Sequence, residues 1–194
     1  MSDHSALLGP AAAELLRVAT AVPSLDARTA CAGYDVRGLL NHLLYWGPWL
    51  TAAGRREPYA ASVAEEADAA LVQDGWPTLL AKQTDELVAA FAPPEAWTGT
   101  VTLGSAELPA AVVGDMVLGE FVLHGWDLAW ASGSTLSCSD AAAAAVLASA
   151  TAMGVQARSM GVYGEVVQVP ETASLLDRAL GASGRDPSSD AVQR

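Results

Sequence analysis

Residues 109–131, PAAVVGDMVLGEFVLHGWDLAWA, predict a long, mostly apolar helix. Five of its side chains follow one another in steps of three and four residues and therefore share one face of the helix: Val113, Val117, Glu120, His124 and Asp127. The sequence Ser132-Gly133-Ser134 ends the pattern. A carboxylate and an imidazole thus lie one turn apart on a helix whose other residues are largely apolar.

The rest of the chain predicts further helices over residues 3–22, 35–54, 76–91, 140–158 and 172–180, with Asp3 and Asp35 as N-caps of the first two. Residues 59–74 are alanine-rich and acidic, and we expect them to be loosely helical. Alternating apolar residues around Gly104-Ser105 predict a short hairpin within residues 98–108. Because short connections favour antiparallel neighbours, the pattern predicts an all-α helical bundle. We expect one domain over residues 1–186 and a disordered tail over residues 187–194.

Composition and charge argue against nucleic acids and membranes as binding partners. A net charge of -12 would repel nucleic acid phosphates and anionic lipid surfaces. No stretch of the sequence predicts a membrane span, and the N-terminal residues lack the pattern of a secretory signal. The two cysteines are too few for a disulfide framework, so we expect a cytoplasmic protein.

The predicted helices contain a candidate metal site. Glu120 and His124 are one helical turn apart, so both side chains can reach one cation. A third ligand would come from a facing helix, and His42 is the histidine that lies within an apolar helix, whereas His4 is close to the terminus. Two imidazoles and one carboxylate leave a coordination position open, as in catalytic zinc and non-haem iron sites. Asp127, one turn beyond His124, is the candidate catalytic residue, which would orient a ligand or relay a proton.

Other interpretations of these residues stay open at this point. Glu120 and His124 also fit an ion pair, and His42 alone fits a hydrogen-bonded core histidine. Three aromatic residues follow His42 by three, four and seven positions and would line a substrate pocket beside it or pack in the core: Tyr45, Trp46 and Trp49. An anionic substrate would need one of a few arginines, among them Arg37, Arg158, Arg178 and Arg185.

Three segments carry a resemblance to a known family: CAGYDVRGLLNHLLYW at 31–46, the stretch from Glu107 to Gly133, and VPETASLLDRALGASGRDP at 169–187. They resemble the mycothiol-dependent maleylpyruvate isomerase-like proteins of the DinB-like superfamily. The resemblance implies a DinB-like four-helix bundle with a short β-hairpin and extra C-terminal helices. It also implies a divalent metal, usually zinc, held at the positions of His42, Glu120 and His124, and a low-molecular-weight thiol such as mycothiol as cosubstrate.

The resulting functional hypothesis is a metal-dependent enzyme that acts on a small, partly aromatic electrophile by thiol transfer or addition, isomerisation or cyclisation. A metal-activated thiol or water would be the nucleophile. The alternatives are a metal-binding bundle without turnover and a metal-free bundle that binds a small apolar ligand. An exposed apolar face would also allow a homodimer.

Overall fold

The computed structural model describes residues 4–189. Its elements in chain order are α1 (Ser5–Ala19), α2 (Val36–Arg55), α3 (Trp76–Ala90), β1 (Thr100–Leu103), β2 (Ala106–Pro109), α4 (Ala110–Ala131), α5 (Asp140–Ser159) and α6 (Leu175–Ala182), with short 3-10 turns at Glu66–Asp68 and Pro94–Trp97. All six helices and the hairpin were predicted from the sequence. The expected N-cap at Asp3 lies outside the described residues.

The first four helices form a closed bundle. Helix α1 packs against α3 and α4, and α2 packs against the same two helices. Their buried faces meet in a core of large apolar side chains that includes Leu8, Leu15, Leu39, Leu44, Phe91 and Leu118. Helix α5 covers an outer face of α4, and α6 packs on α5. The structure therefore has the predicted four-helix bundle with additional C-terminal helices, and α4 lies between the bundle and these additions.

Helix α2 begins where its sequence predicts. The Asp35 carboxylate accepts a hydrogen bond from the Gly38 backbone N–H at 2.7 Å, which satisfies one of the free donors of the first turn. At the other end Arg56 adopts a left-handed conformation with φ of 59°. Its guanidinium donates to the carbonyl oxygens of Glu95, Thr98 and Thr100. The end of α2 is thus tied to the start of the hairpin that leads into α4.

The hairpin pairs β1 and β2 antiparallel, with Val101 opposite Leu108 and Leu103 opposite Ala106. The two-residue turn between the strands has Gly104 at φ of 62°, a conformation that glycine adopts without steric cost. Val101 is buried against the bundle, while its neighbours Thr100 and Thr102 are exposed. This alternation confirms the period of two in the sequence and sets the point at which α4 begins.

The expectation of a loose helix over residues 59–74 was wrong apart from the single 3-10 turn at Glu66–Asp68. The segment lacks the apolar periodicity that would bury one helical face, so α2 holds its backbone instead. The Asn41 side-chain oxygen accepts from the Leu71 N–H at 2.9 Å, and the Asn41 amide donates to the Glu66 carbonyl at 3.4 Å. The segment is consequently a loop that lies along α2 and carries Glu66 toward His42.

Residues beyond α6 continue along the surface of α4. The Trp130 indole N–H donates to the Ser189 carbonyl at 2.9 Å, so residues 187–189 lie against the protein. The remainder of the expected disordered tail, residues 190–194, lies outside the described residues, and that expectation stays a prediction. Within residues 4–189, no helix combines the length and the apolar composition that a membrane span requires.

Gly114 marks a close approach inside the bundle. A Cβ atom at this position of α4 would collide with the six-membered ring of Trp97, whose indole N–H is fixed by the Phe91 carbonyl at 2.8 Å. We expect Gly114→Ala to lower the free energy of unfolding by about 1–3 kcal/mol because Trp97 must move within a packed core. The measurement is urea denaturation followed by circular dichroism.

Gly119 provides the matched control on the same helix, because a Cβ there meets no atom within 4 Å. Gly119→Ala should leave the stability unchanged or raise it by up to about 1 kcal/mol through helix propensity. Equal effects of the two substitutions would contradict the proposed collision.

Candidate metal centre

Three side chains from two facing helices meet inside the bundle. His42 comes from α2, and Glu120 and His124 come from α4. The Nε2 atoms of His42 and His124 lie 3.3 and 3.5 Å from the same oxygen, Oε2 of Glu120. One donor atom from each of the three residues lies within 4.8 Å of the others. The structure therefore brings together the three residues that the sequence selected, although they are up to 82 positions apart in the chain.

Each histidine is oriented by a second carboxylate on its far side. His42 Nδ1 lies 3.1 Å from Glu66 Oε2, and His124 Nδ1 lies 3.0 Å from Asp127 Oδ2. In the neutral imidazole, such a carboxylate fixes the proton on Nδ1 and leaves the Nε2 lone pair available to a cation. Both Nε2 atoms point toward Glu120. This carboxylate–histidine arrangement is the one that supports histidine ligands in metal sites.

The Glu120 carboxylate lies between the two imidazoles, and one of its oxygen atoms accepts no hydrogen bond from the described residues. Its Oε2 atom is buried and has no aligned hydrogen-bond partner among residues 4–189. The two histidine contacts at this atom are within ion-pair distance but are not aligned as hydrogen bonds. A buried acceptor without a partner costs free energy, so it calls for an additional group. A cation between the three donors would satisfy it, and the residues present therefore fit a divalent metal.

The electrostatics of the cluster favour ionised carboxylates. Burial raises the pKa of Glu120, but the charge of His124 and the contact with His42 outweigh it and lower this pKa to about 2. Burial lowers the pKa of His42, whereas its contacts with Glu120 and Glu66 and their charges raise it to about 10. The site is thus built to hold positive charge between carboxylates at neutral pH.

Asp127 is fully buried and forms an ion pair with Arg185, which is 6% exposed. The guanidinium donates from Nε to Oδ1 at 2.8 Å and from Nη2 to Oδ2 at 2.7 Å, and it also reaches the Ser183 hydroxyl at 3.1 Å. Burial raises the pKa of Asp127, but the Arg185 charge and the bonds from His124 and Arg185 outweigh it and keep this pKa below its usual range. The carboxylate is occupied on both oxygens, so its geometry is that of a residue that orients His124.

The sequence analysis did not identify Glu66, whose carboxylate contacts three side chains. Tyr34 donates its hydroxyl to Oε1 at 3.0 Å, and the Trp46 indole N–H donates to Oε2 at 2.8 Å, beside His42. Nothing in the sequence separates Glu66 from its neighbour Glu65, because both lie in an acidic segment without periodicity. From the sequence, Arg185 was considered only as a cation for an anionic substrate. It lies in the segment at 169–187 that carries the family resemblance.

A second cluster adjoins the first. Cys31 Sγ lies within 4.8 Å of a nitrogen of His124 and an oxygen of Asp127. Burial, followed by the charge of Asp127, raises the pKa of the Cys31 thiol to about 11, so this sulfur is protonated at neutral pH. Asp127 is already bound by Arg185. The set of His42, Glu120 and His124 is therefore the better candidate for a cation.

The aromatic residues predicted to line a substrate pocket contact the loop of residues 59–66. The Tyr45 hydroxyl donates to the Ala64 carbonyl at 3.0 Å, and the Trp49 ring packs edge-on against Tyr59 with centroids 4.9 Å apart. Trp46 lines a small cavity of about 20 Å³ that also touches Glu120. These contacts hold the loop and its Glu66 in place, and Tyr45 and Trp49 line neither this small cavity nor the larger one described next.

The larger cavity lies between α4 and α5. It has a volume of about 200 Å³, and Glu120, His124 and Arg185 are among the residues that line it. Its walls include Met116 on α4 and Met153 on α5. The cavity gives a small molecule a path to the candidate metal position.

Comparisons with known proteins agree with this architecture. The family model described as "Mycothiol maleylpyruvate isomerase N-terminal domain" matches residues 8–129, which include His42, Glu120 and His124. A solved structure, the "Crystal structure of the mycothiol-dependent maleylpyruvate isomerase", matches with a TM-score of 0.64 and 18% identity. The match covers 96% of this chain and 80% of that chain. Among curated proteins, none matches. The family model covers more than half of the sequence, and the chain belongs to the mycothiol maleylpyruvate isomerase N-terminal domain family.

Proposed function

We propose that the protein is a divalent-metal-dependent enzyme that joins a low-molecular-weight thiol, such as mycothiol, to a small electrophile for transfer, addition or isomerisation. His42, Glu120 and His124 hold the cation, and zinc suits two imidazoles and one carboxylate best. The observation that carries the proposal is the unpartnered Glu120 oxygen facing two Nε2 atoms whose Nδ1 sides are fixed. The family supports the thiol, because its description names mycothiol.

The bound cation would supply a Lewis acid that lowers the pKa of a thiol or water, so that a nucleophile forms at neutral pH. The chain's own residues prepare the site for this. Glu66 and Asp127 keep protons on Nδ1 of His42 and His124, which directs each Nε2 toward the centre. Arg185 neutralises Asp127 and fixes its orientation. We assign Asp127 as a positioning residue for His124.

The cavity between α4 and α5 is the proposed substrate site. Glu120 and His124 line it, so an electrophile seated there would lie beside two of the residues that would hold the cation. Its apolar walls exclude water from the reacting atoms, which strengthens the electrostatic interactions in the site. In this proposal Tyr45 and Trp49 support the Glu66 loop, and they do not contact substrate.

The proposal is tested by metal content and by a spectroscopic probe of thiol binding. Elemental analysis of tag-free protein purified without chelator should give about one metal per chain in the wild type and in Glu65→Gln, and little in Glu120→Gln. After cobalt substitution, a thiol should shift the visible spectrum of the wild type. Absence of metal even after reconstitution would overturn the proposal.

The same experiment separates the alternatives. One metal per chain with a cobalt spectrum that does not respond to mycothiol or to simple thiols would indicate a metal-binding bundle without this chemistry. Wild type that takes up no metal but binds small apolar molecules would indicate a ligand-binding bundle.

Glu66→Gln should weaken metal affinity about 10- to 100-fold, because outer carboxylates of this kind contribute that much to histidine ligands. The amide keeps the shape of the side chain but no longer presents a charged acceptor to His42 Nδ1. Competition with a chelator of known affinity measures the change. Glu65→Gln is the matched control, since Glu65 is exposed and adjacent in the chain. An unchanged affinity in Glu66→Gln would remove Glu66 from the site.

A further inference from the structure

The cavity between α4 and α5 has a size that restricts its occupant. A dry cavity of about 150 Å³ is known to hold one benzene molecule. The cavity volume of about 200 Å³ therefore admits a single ring with a short substituent, or a branched aliphatic group of the same size. A bulkier group would have to extend through the open side of the cavity into solvent.

The charges around the cavity are mostly negative or already paired. Arg185 is the only lysine or arginine among the described residues that line it. Its guanidinium makes two hydrogen bonds to Asp127 and one to Ser183, so its charge is neutralised within the protein. The acidic residues of the lining are Glu120 and Asp115, and Asp115 is paired with His4 at 2.7 Å. A carboxylate held in the cavity without reaching the proposed cation would therefore lose its hydration without gaining a free counter-ion.

The mouth of the cavity is apolar as well. Met160 and Val162 line it and are 67% and 64% exposed, which is unusual for such large apolar side chains. Ser149, Gln156 and Tyr163 are uncharged polar residues of the lining, and they can orient a ligand by hydrogen bonds without preferring a charge. The path from solvent to His124 thus favours molecules that leave water readily.

We propose that the part of the substrate held between α4 and α5 is an uncharged, mainly apolar group of about one ring, and that the cavity discriminates against a carboxylate at that position. The inference rests on the proposed function and adds the substrate class. An anionic substrate would need a free arginine in the cavity. Arg185 does not meet this need, because it is bound to Asp127.

A pair of phenols tests the inference directly. p-Cresol and 4-hydroxybenzoate share the ring and hydroxyl and differ in a methyl group against a carboxylate. Calorimetric titration of the chelated wild type, in which no cation can bind a carboxylate, should show p-cresol binding at least tenfold more tightly than 4-hydroxybenzoate. Equal or tighter binding of 4-hydroxybenzoate would overturn the inference, and so would failure of p-cresol to bind at millimolar concentration.

Two substitutions, each with a matched control at Val155, locate the binding in the cavity. Met153→Trp fills part of it and should weaken p-cresol at least tenfold, whereas Val155→Trp should have no effect, because Val155 is 80% exposed and does not line the cavity. Gln156→Arg should strengthen 4-hydroxybenzoate at least tenfold by adding a free cation, and Val155→Arg should not. Unchanged p-cresol affinity in Met153→Trp would place the ligand elsewhere and overturn the inference.

Failure of the inference is distinguishable from failure of the proposed function. Metal stoichiometry is measured separately from the phenol titrations. One metal per chain in the wild type without a preference between the phenols would support the proposed function and contradict the inference. A preference for p-cresol in a wild type that binds no metal would contradict the proposed function but support an apolar cavity.

Discussion

Arg185→Met is expected to lower the free energy of unfolding by about 3–5 kcal/mol, because it leaves the buried Asp127 carboxylate without its counter-ion. Asp127 is fully buried, and Arg185 donates to both of its oxygens. Methionine keeps the apolar length of the side chain, so lost packing contributes little. Urea denaturation at pH 7 measures the change. Arg37→Met is the control, since Arg37 is half-exposed and its contact with Asp26 is 3.5 Å long, and it should change stability by less than about 0.5 kcal/mol.

A double variant separates the ion pair from other effects at this position. Asp127→Asn combined with Arg185→Met removes the buried negative charge together with its partner. It should recover at least half of the stability lost in Arg185→Met alone. If the double variant is as unstable as the single one, the uncompensated charge is not the source of the loss. Metal affinity should be lower in the double variant than in the wild type, because His124 then lacks its carboxylate.

Removal of metal is expected to have the second large effect. A ligand that binds only the folded state stabilises it by about 4 kcal/mol when its free concentration is one thousand times its dissociation constant. Wild type measured at that excess of zinc and again after chelation should differ by about this amount. The ligands come from α2 and α4, so the cation would join two helices that also pack directly against each other.

Glu120→Gln tests whether this stabilisation comes from the proposed site. The amide is nearly the same size as the carboxylate but lacks the charge between His42 and His124. The difference between zinc-loaded and chelated protein should disappear in this variant and persist in Glu65→Gln. A zinc-dependent gain that survives in Glu120→Gln would show that the cation binds elsewhere.

Local patterns were sufficient to predict the helices and to select the three candidate ligands that the structure brings together. The steps of three and four residues in α4 place Glu120, His124 and Asp127 on one face, and the structure shows them there. His42 was selected because it is the histidine within a second apolar helix, and the bundle brings α2 against α4. Both steps depend on helical geometry, which repeats regularly along the sequence.

The features that were not predicted depend on irregular backbone or on empty volume. Glu66 reaches His42 from a loop whose course is set by Asn41, and no periodicity records that path. Arg185 pairs with Asp127 only because the turn after α6 returns to α4. The cavity between α4 and α5 exists where the side chains of two helices fail to fill the space between them, which spacing within one helix does not reveal.

The long separation between Asp127 and Arg185 affects how the chain folds during synthesis. The two residues are 58 positions apart, so α4 is complete well before its buried carboxylate can meet a cation. At synthesis rates of about 5–20 residues per second, this interval lasts about 3–12 s. During that time α4 carries an uncompensated charge on a face that must become dry, which opposes its final packing. We therefore expect the bundle to close around Asp127 only after the segment that follows α6 has emerged.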